Sequence, residues 1–277
     1  MSCYLTDYLI TNPIHSSALL TAMKKIIYCV LLLLGPAGAF AQTKLEAKEI
    51  LNRIGKGEAV AYQNAEIIGT LDFTALPNRQ LSKASKSDWL GNQKNYVSTV
   101  QASVSFTNCT FRGDVLAYYS EEGENATYNA NFEQDVRFER CTFERTSAFK
   151  YSEFGGAVSF QGSTFQEEAL FKYSKFVSGP NFGKATFTDG ANFKYVKFPK
   201  GVDFSQATFR DEASFKYAHF PSGANFTKAT FRDLADFKYA HFSKPLQLTE
   251  TAFEGSEDFK YAQVDGQKFS SYLLKSK

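Results

Sequence analysis

The chain has 277 residues, of which 43% are hydrophobic and 16% aromatic, and 28 of them are phenylalanine. This apolar content is ample for one hydrophobic core. The formal net charge of +2 argues against any partner, polyanionic or polycationic, that is attracted by the bulk charge of the protein.

The first 41 residues have the pattern of an export signal. Two lysines at 24–25 are followed by the apolar run 26–34 and by Ala39-Phe40-Ala41, which correspond to the charged region, the hydrophobic region and the cleavage site of a bacterial secretory signal. We predict a signal peptide over 23–41 and a misassigned upstream extension over 1–22. The mature protein is then secreted or periplasmic and has no membrane span. The alternative, a protein anchored by an uncleaved N-terminal segment, is disfavoured by the short apolar run.

The mature chain begins with the pattern of an amphipathic helix. Over 43–55, Thr43 and Glu46 are spaced as a capping box, apolar residues recur on one face, and a glycine ends the segment. We predict a short capping helix that covers the open end of the next element. The segment 59–76 then has the pattern of a first, degenerate coil. Its predicted inward residues are Ile67, Leu71 and Phe73.

Two polar segments interrupt the pattern in the N-terminal half. Residues 77–98 contain Trp89, the only tryptophan of the chain. Residues 113–131 contain a second insertion, because Phe106 and Phe138 are 32 residues apart where one coil gives 22. The inserted residues form an acidic loop. We predict that both segments leave the coil, and that Trp89 either anchors a ligand or packs on the wall. Any site unlike the repeat is expected between these two segments.

From Phe138 onward, phenylalanine recurs at alternating steps of five and six residues. This grid has 24 positions up to Val264, and 22 of them are phenylalanine, the exceptions being Leu248 and Val264. The motif repeats every 22 residues, with Phe-Lys-Tyr triplets starting at 149, 171, 193, 215, 237 and 259. Fixed self-similarity of this length predicts a solenoid.

The spacing also predicts how one coil is built. A small residue stands two positions before each phenylalanine, as in Ala191 and Phe193, and residues two apart in an extended segment point to the same side. Four faces therefore each turn one small and one large side chain inward. Parallel stacking of coils at about 4.8 Å places each phenylalanine on the one in the next coil. Glycines suited to corners recur on the longer faces at Gly179, Gly190, Gly201 and Gly223.

The runs ANFKYVKF, VDFSQATF, ASFKYAHF and ADFKYAHF resemble the pentapeptide-repeat family, whose units read A-(D/N)-(L/F)-x-x. The resemblance implies an all-β fold, a right-handed quadrilateral parallel β-helix, here over 59–269 with a C-terminal tail at 270–277. The chain departs from the simplest form of the family by one extra residue on alternate faces, which should widen two corners. Because the family has many roles, the resemblance implies the fold strongly and the function weakly.

The outward columns carry the regular surface chemistry of the coils. Tyrosine forms one column and lysine the column beside it. Stacked lysines repel one another, so we expect carboxylates such as Asp236 and Asp258 to neutralise them. Two interpretations stay open: a structural covering of the sheet, or an aromatic and basic strip that binds a glycan, an anionic polymer or a protein. The columns are Tyr151, Tyr173, Tyr195, Tyr217, Tyr239 and Tyr261, and Lys150, Lys172, Lys194, Lys216, Lys238 and Lys260.

Cysteine and histidine residues give weaker signals. Cys109 and Cys141 both occupy the small inward slot of the motif, so we interpret them as core residues, with a disulfide as the alternative if their coils are adjacent. His219 and His241 share an outward column. That column has no further ligand, so we predict no metal site.

The sequence has no nucleophile motif, phosphate loop or Cys/His cluster, so we predict neither enzyme activity nor a cofactor. The leading hypothesis is an exported, non-enzymatic solenoid that is a binding or structural scaffold in the bacterial envelope, with a protein or glycan as its partner. The open ends of a stack also allow end-to-end association of copies. The alternative is a DNA mimic that interacts with topoisomerases, as some pentapeptide-repeat proteins do. That role needs an acidic rod in the cytoplasm, whereas this chain has an isoelectric point near 8.2, so we expect no partnership with nucleic-acid enzymes or nucleic acid.

Overall fold

The computed structural model describes residues 42–82, 94–121, 123 and 125–275. The predicted leader and Trp89 lie outside the described residues. Beyond the N-terminal helix the chain winds through four walls in a fixed order, and each wall is a sheet in which successive coils pair in parallel. This is the parallel β-helix of 22-residue coils that the sequence predicts.

Walls 1 and 2 follow one another along each coil. Isolated parallel bridges through Asn181 and Asp203 continue wall 1 where its strands are too short to be assigned. Wall 1 contains Val60–Gln63, Val104–Thr107, Val136–Glu139, Val158–Ser159, Ala224–Asn225 and Leu246–Gln247. Wall 2 contains Thr43–Glu46, Ala65–Ile68, Thr110–Phe111, Thr142–Phe143, Thr164–Phe165, Thr186–Phe187, Thr208–Phe209, Thr230–Phe231 and Ala252–Phe253.

Walls 3 and 4 complete the coil. Lys197 bridges to the coils on both sides and so keeps wall 4 continuous. Wall 3 contains Leu71–Asp72, Val115–Leu116, Ser147–Ala148, Ala169–Leu170, Ala191–Asn192, Ala213–Ser214, Ala235–Asp236 and Glu257–Asp258. The parallel strands of wall 4 are Lys94–Val100, Ala126–Phe132, Glu153–Phe154, Lys175–Phe176, His219–Phe220, His241–Phe242 and Gln263–Val264. Three further strands join this wall by antiparallel pairing, namely Gln80–Leu81, Tyr118–Glu121 and Gln267–Lys268.

Phenylalanine rings fill the inside of the tube in four columns. Along a column, rings stack nearly parallel, as for Phe187 and Phe209, whose centroids are 4.9 Å apart with planes 2° apart. Between columns they meet edge to face, as for Phe193 and Phe204 at 5.2 Å and 81°. The small residues at the neighbouring inward slots, such as Ala207, are also fully buried. The predicted aromatic columns are therefore confirmed, and so are the inward positions of Ile67, Leu71 and Phe73.

The N-terminal end differs from the prediction. Residues Thr43–Glu46 form a strand, and the helix begins only at Ala47 and ends at Gly55. The predicted capping box is wrong, because the N-cap is Glu46 and makes no side-chain capping hydrogen bond. The strand pairs in parallel with Ala65–Ile68, where it covers an edge that would otherwise be open. The helix buries Ala47, Ile50 and Ile54 against the first coil.

The described parts of the two predicted excursions lie side by side. Residues 113–117 belong to the regular coil, because Val115–Leu116 pairs within wall 3, so the second excursion begins only at Tyr118. Tyr118–Glu121 and Ala126–Phe132 form an antiparallel hairpin instead of a loop. Ala126–Phe132 also pairs over its full length with Lys94–Val100 of the first excursion. Wall 4 is therefore extended beyond the tube at this end.

A helix, Phe269–Lys275, lies at the C-terminal end. Its first residue, Phe269, is the last one assigned by sequence to the β-helix, but it is helical and buried. The Phe269 ring lies on Phe259 with centroids 4.5 Å apart, and the Tyr272 hydroxyl donates to the carbonyl of Leu246 at 2.9 Å. The end of the aromatic column is thus covered by one more ring.

Candidate functional site

The corner between walls 3 and 4 carries the tyrosine and lysine columns, and we name it the Tyr-Lys edge. Each corner is a tight turn in which the residue after tyrosine donates its N–H to phenylalanine, as from Ser152 to Phe149 at 3.2 Å. The tyrosine N–H donates to the lysine carbonyl of the next coil, as from Tyr195 to Lys216 at 3.0 Å. The two columns are therefore fixed along the tube by the backbone.

The six tyrosine rings form one continuous stack. Successive centroids are 4.7–5.0 Å apart, and successive planes differ by 1–16°. The rings remain accessible to solvent, with Tyr195 43% and Tyr261 56% exposed. Since each interior ring is covered by a neighbour on both faces, the column presents mainly ring edges and phenolic hydroxyls.

All six tyrosines have left-handed backbone conformations, with φ between 59° and 62°. For residues other than glycine this conformation costs about 1–2 kcal/mol. The corner between walls 1 and 2, which we name the opposite edge, uses the same conformation with varied side chains. Its left-handed residues are Asn64, Asn108, Arg140, Gly162, Lys184, Gln206, Lys228 and Glu250. The turn itself therefore does not require tyrosine.

The carboxylates predicted to neutralise the lysines of the edge do not pair with the lysine ammonium groups. Asp236 and Asp258 accept hydrogen bonds from the backbone N–H of Lys238 and Lys260, at 3.0 and 2.8 Å, and form no ion pair with their ammonium groups. Five of the six ammonium groups lie beside tyrosine rings instead, and the sixth, that of Lys194, is 3.7 Å from Glu212. The distances from Nζ to the ring centroid are 5.0 Å for Lys150 and Tyr151, 5.1 Å for Lys172 and Tyr173, 5.7 Å for Lys216 and Tyr217, 5.8 Å for Lys238 and Tyr239, and 5.2 Å for Lys260 and Tyr261.

Positive charge is concentrated on three central coils of the edge. The three outward positions around the corner are Leu170, Lys172 and Lys175 in the first, Asn192, Lys194 and Lys197 in the second, and Ser214, Lys216 and His219 in the third. These nine positions hold five lysines, one histidine and no carboxylate. The flanking coils have a carboxylate at the same positions, Glu153 before and Asp236 after.

The two histidines continue this basic column along wall 4. His219 and His241 are paired in register on adjacent strands, and their ring centroids are 5.0 Å apart. Partial burial, and then the neighbouring His241 and Lys197, lower the pKa of His219, so its protonation is disfavoured. Within the described residues, no three His, Cys, Asp or Glu side chains are grouped so that they could hold a metal ion.

A threonine column on wall 2 was missed by the sequence analysis. Six threonines stand directly before phenylalanine in successive coils and pair in parallel register. They are Thr110, Thr142, Thr164, Thr186, Thr208 and Thr230. The recurring Thr-Phe dipeptide could have revealed them. β-Branched residues suit a flat, half-buried strand position, which accounts for this column without a ligand.

The two excursions bring together a second group of tyrosines. Tyr96 and Tyr128 are register partners with stacked rings 5.2 Å apart, and Tyr119 stacks on Tyr128 at 6.0 Å. The Arg79 guanidinium lies 5.1 Å from the Tyr128 centroid. The sequence predicts a distinct site between the excursions but indicates only Trp89 as its residue, because pairing between strands 32 residues apart has no local signal.

Cys109 and Cys141 lie in adjacent coils as buried free thiols. Their strands are in register, since Thr110 pairs with Thr142. The hydrogen bond from Cys141 lowers the pKa of Cys109 to about 7, whereas the coupling to Cys109, together with burial, raises the pKa of Cys141. The first ionisation of this pair is therefore easier than the second.

A cleft of about 1070 Å³ lies between the last coil and the C-terminal helix. Leu248, Phe253, Phe259 and Tyr272 contribute to its lining.

Among the described residues, no helix has the length and apolar character needed to cross a membrane.

The geometry defines the class of protein, a parallel β-helical solenoid with aromatic columns inside and repeated chemistry outside. The model of the family "pentapeptide repeats (9 copies)" matches residues 128–175, 149–197 and 193–241, so the regular coils of this part of the chain are pentapeptide repeats. The chain has no significant match among curated proteins or among solved structures.

Proposed function

We propose that this protein is an exported, non-enzymatic binding scaffold and that its binding surface is the Tyr-Lys edge. The single observation that carries the proposal is the uniform tyrosine column in left-handed corner positions. At the opposite edge the same backbone conformation accepts Asn, Gly, Lys, Gln, Arg and Glu. If the turn at the Tyr-Lys edge served only to reverse the chain direction, its left-handed position would accept an equally varied set of residues.

Stacking energy explains in part why the column is uniformly tyrosine, but it does not explain why the column lies at a left-handed corner. An aromatic pair contributes about 0.5–1.5 kcal/mol beyond burial, which offsets the backbone cost of a tyrosine at φ near 60°. The same stacking energy is available at strand positions that have no such cost. A column at the corner has a different property, because its half-buried to exposed tyrosines line an edge of the tube beside a column of cations. This is the expected arrangement for recognition of a partner that lies along the tube.

Replacement of two tyrosines tests this surface. We expect the Tyr195→Asn/Tyr217→Asn variant to lose roughly tenfold or more in affinity for whichever glycan or polymer binds the wild type on an array. Asparagine tolerates the left-handed conformation, so the fold should be retained and can be checked by thermal unfolding. The matched control is Gln206→Asn/Lys228→Asn, at the equivalent corner positions of the opposite edge. Unchanged binding by the tyrosine variant would remove the Tyr-Lys edge from consideration.

Export is the second part of the proposal, and it is supported by the signal-peptide pattern of residues 23–41. Expressed with a C-terminal tag in a bacterial host, the protein should be recovered from the periplasm or medium with Gln42 as its first residue. Sequencing of the N-terminus after fractionation checks this directly. A cytoplasmic protein that retained residues 23–41 would contradict export. A membrane-bound form with the same residues would instead indicate an anchor.

A further inference from the structure

The Tyr-Lys edge has chemical features that narrow the class of ligand it could bind. We propose that its three central coils bind a linear acidic polysaccharide, a chain with one carboxylate on each sugar unit. This inference rests on the proposed function and specifies the ligand of the same surface. The surface comprises residues 170–175, 192–197 and 214–219.

The stacking geometry argues against recognition of a neutral glycan by ring stacking. A sugar that stacks on an aromatic side chain needs a free ring face. The interior tyrosines are 4.7–5.0 Å apart, which leaves no space for another ring between them. What they offer is a line of hydroxyl groups, which can exchange hydrogen bonds with sugar hydroxyls or carboxylates.

The charge distribution favours an anionic chain. Lys172, Lys197 and Lys216 stand on three consecutive coils, and within the described residues none has a carboxylate within ion-pairing distance. Lys175 is paired with Glu153, and Lys194 lies 3.7 Å from Glu212. Lysines at equivalent positions of adjacent coils, such as Lys175 and Lys197, repel one another. A bound polyanion would remove this repulsion, so the charges of the edge and the ligand are complementary.

The positions of the cations fit a chain that follows the tube axis. Lys172 and Lys216 flank the tyrosine column on wall 3, and Lys197 flanks it on wall 4. Successive coils are about 4.8 Å apart, and a sugar ring with its linkage has a similar length. Each coil can therefore face one carboxylate. All cations here are lysine. Bidentate recognition of phosphate groups is more typical of arginine.

The low net charge of the protein does not conflict with this assignment. The partner is recognised by a local cluster on three coils, while the flanking coils carry compensating carboxylates at Glu153, Asp236 and Asp258. The length of the site is therefore limited to about three sugar units. We expect short-range attraction that salt weakens, without long-range steering by the whole molecule.

The test measures binding of the purified protein to polygalacturonate and to neutral dextran, with single-stranded DNA and polyphosphate as other polyanions. We expect the wild type to bind polygalacturonate and not dextran, with affinity that falls as salt rises. The variant Lys172→Gln/Lys197→Gln/Lys216→Gln should bind at least roughly tenfold more weakly. The control Lys184→Gln/Lys200→Gln/Lys228→Gln removes the same charge from the same part of the tube elsewhere on the surface, and it should stay within about twofold.

Each contrary outcome has a distinct meaning. Equal losses in both triple variants would overturn the site, since they would show a general effect of charge. Tighter binding of DNA or polyphosphate than of polygalacturonate would overturn the ligand class. If polygalacturonate does not bind, but another ligand binds and is lost in Tyr195→Asn/Tyr217→Asn, this inference fails and the proposed function stands. If no ligand depends on those tyrosines, the proposed function itself fails.

Discussion

Replacing Phe204 by alanine is expected to lower the free energy of unfolding by about 3–5 kcal/mol. The Phe204 ring is completely buried and stacks on Phe182 and Phe226 at 5.1 and 5.2 Å. It also meets Phe193 and Phe215 edge to face. In a solenoid the core is a line, and each coil packs only on its neighbours. The cavity therefore cannot be filled from another layer, and urea unfolding of the purified variant measures the loss.

Phe253→Ala is the matched control at the end of the tube. Phe253 belongs to the last strand of wall 2, it is only partly buried, and it stacks on one ring, Phe231, at 5.0 Å. Its removal should cost less than half of the loss at Phe204, because solvent already reaches one side. A loss below about 1 kcal/mol for Phe204→Ala would show that the ring columns are not the main source of stability.

The period of phenylalanine predicts the fold because that period has one geometric solution. A large inward residue at steps of five and six, with a small residue two positions earlier, matches neither a helix nor a regular strand. It fits short faces separated by corners. The tyrosine and lysine columns follow from the same repeat, so their existence could be predicted from the sequence. The left-handed conformation of the tyrosines and the placement of ammonium groups beside their rings could not, because side-chain directions at a left-handed corner depend on the backbone.

The misassigned segments are those whose structure is decided by distant partners. The sequence of Thr43–Glu46 predicts a helix start, but the segment forms a strand because it pairs with the open edge of Ala65–Ile68. Tyr118–Glu121 reads as an acidic loop, but it pairs with Ala126–Phe132, which in turn pairs with Lys94–Val100. Strand pairing between separate segments is set by packing and register, which local propensity does not encode.

Replacing Gly223 by alanine is expected to destabilise the protein by on the order of 3 kcal/mol. Gly223 stands at the corner between walls 4 and 1 with φ of +87°, which L-residues rarely adopt. A Cβ atom there would lie 2.1 Å from the carbonyl oxygen of Pro245 and 3.0 Å from its nitrogen. That carbonyl accepts the hydrogen bond from the Ala224 N–H at 3.0 Å. The clash is therefore with backbone that holds two coils together, and it cannot be relieved by rotating a side chain.

Two further glycines separate the contributions of conformation and contact. Gly57 has a φ of +77° and no atom within 4 Å of the point where a Cβ would stand, and Gly190 has open space and no left-handed φ. Gly57→Ala should therefore lose about 1–2 kcal/mol from conformation alone, and Gly190→Ala should change stability by less than about 1 kcal/mol. The expected order of melting temperatures is Gly190→Ala, Gly57→Ala, Gly223→Ala, from highest to lowest. Equal melting temperatures for Gly223→Ala and Gly57→Ala would contradict this prediction. They would show that the coils can separate at this corner and that the contact with Pro245 does not fix their spacing.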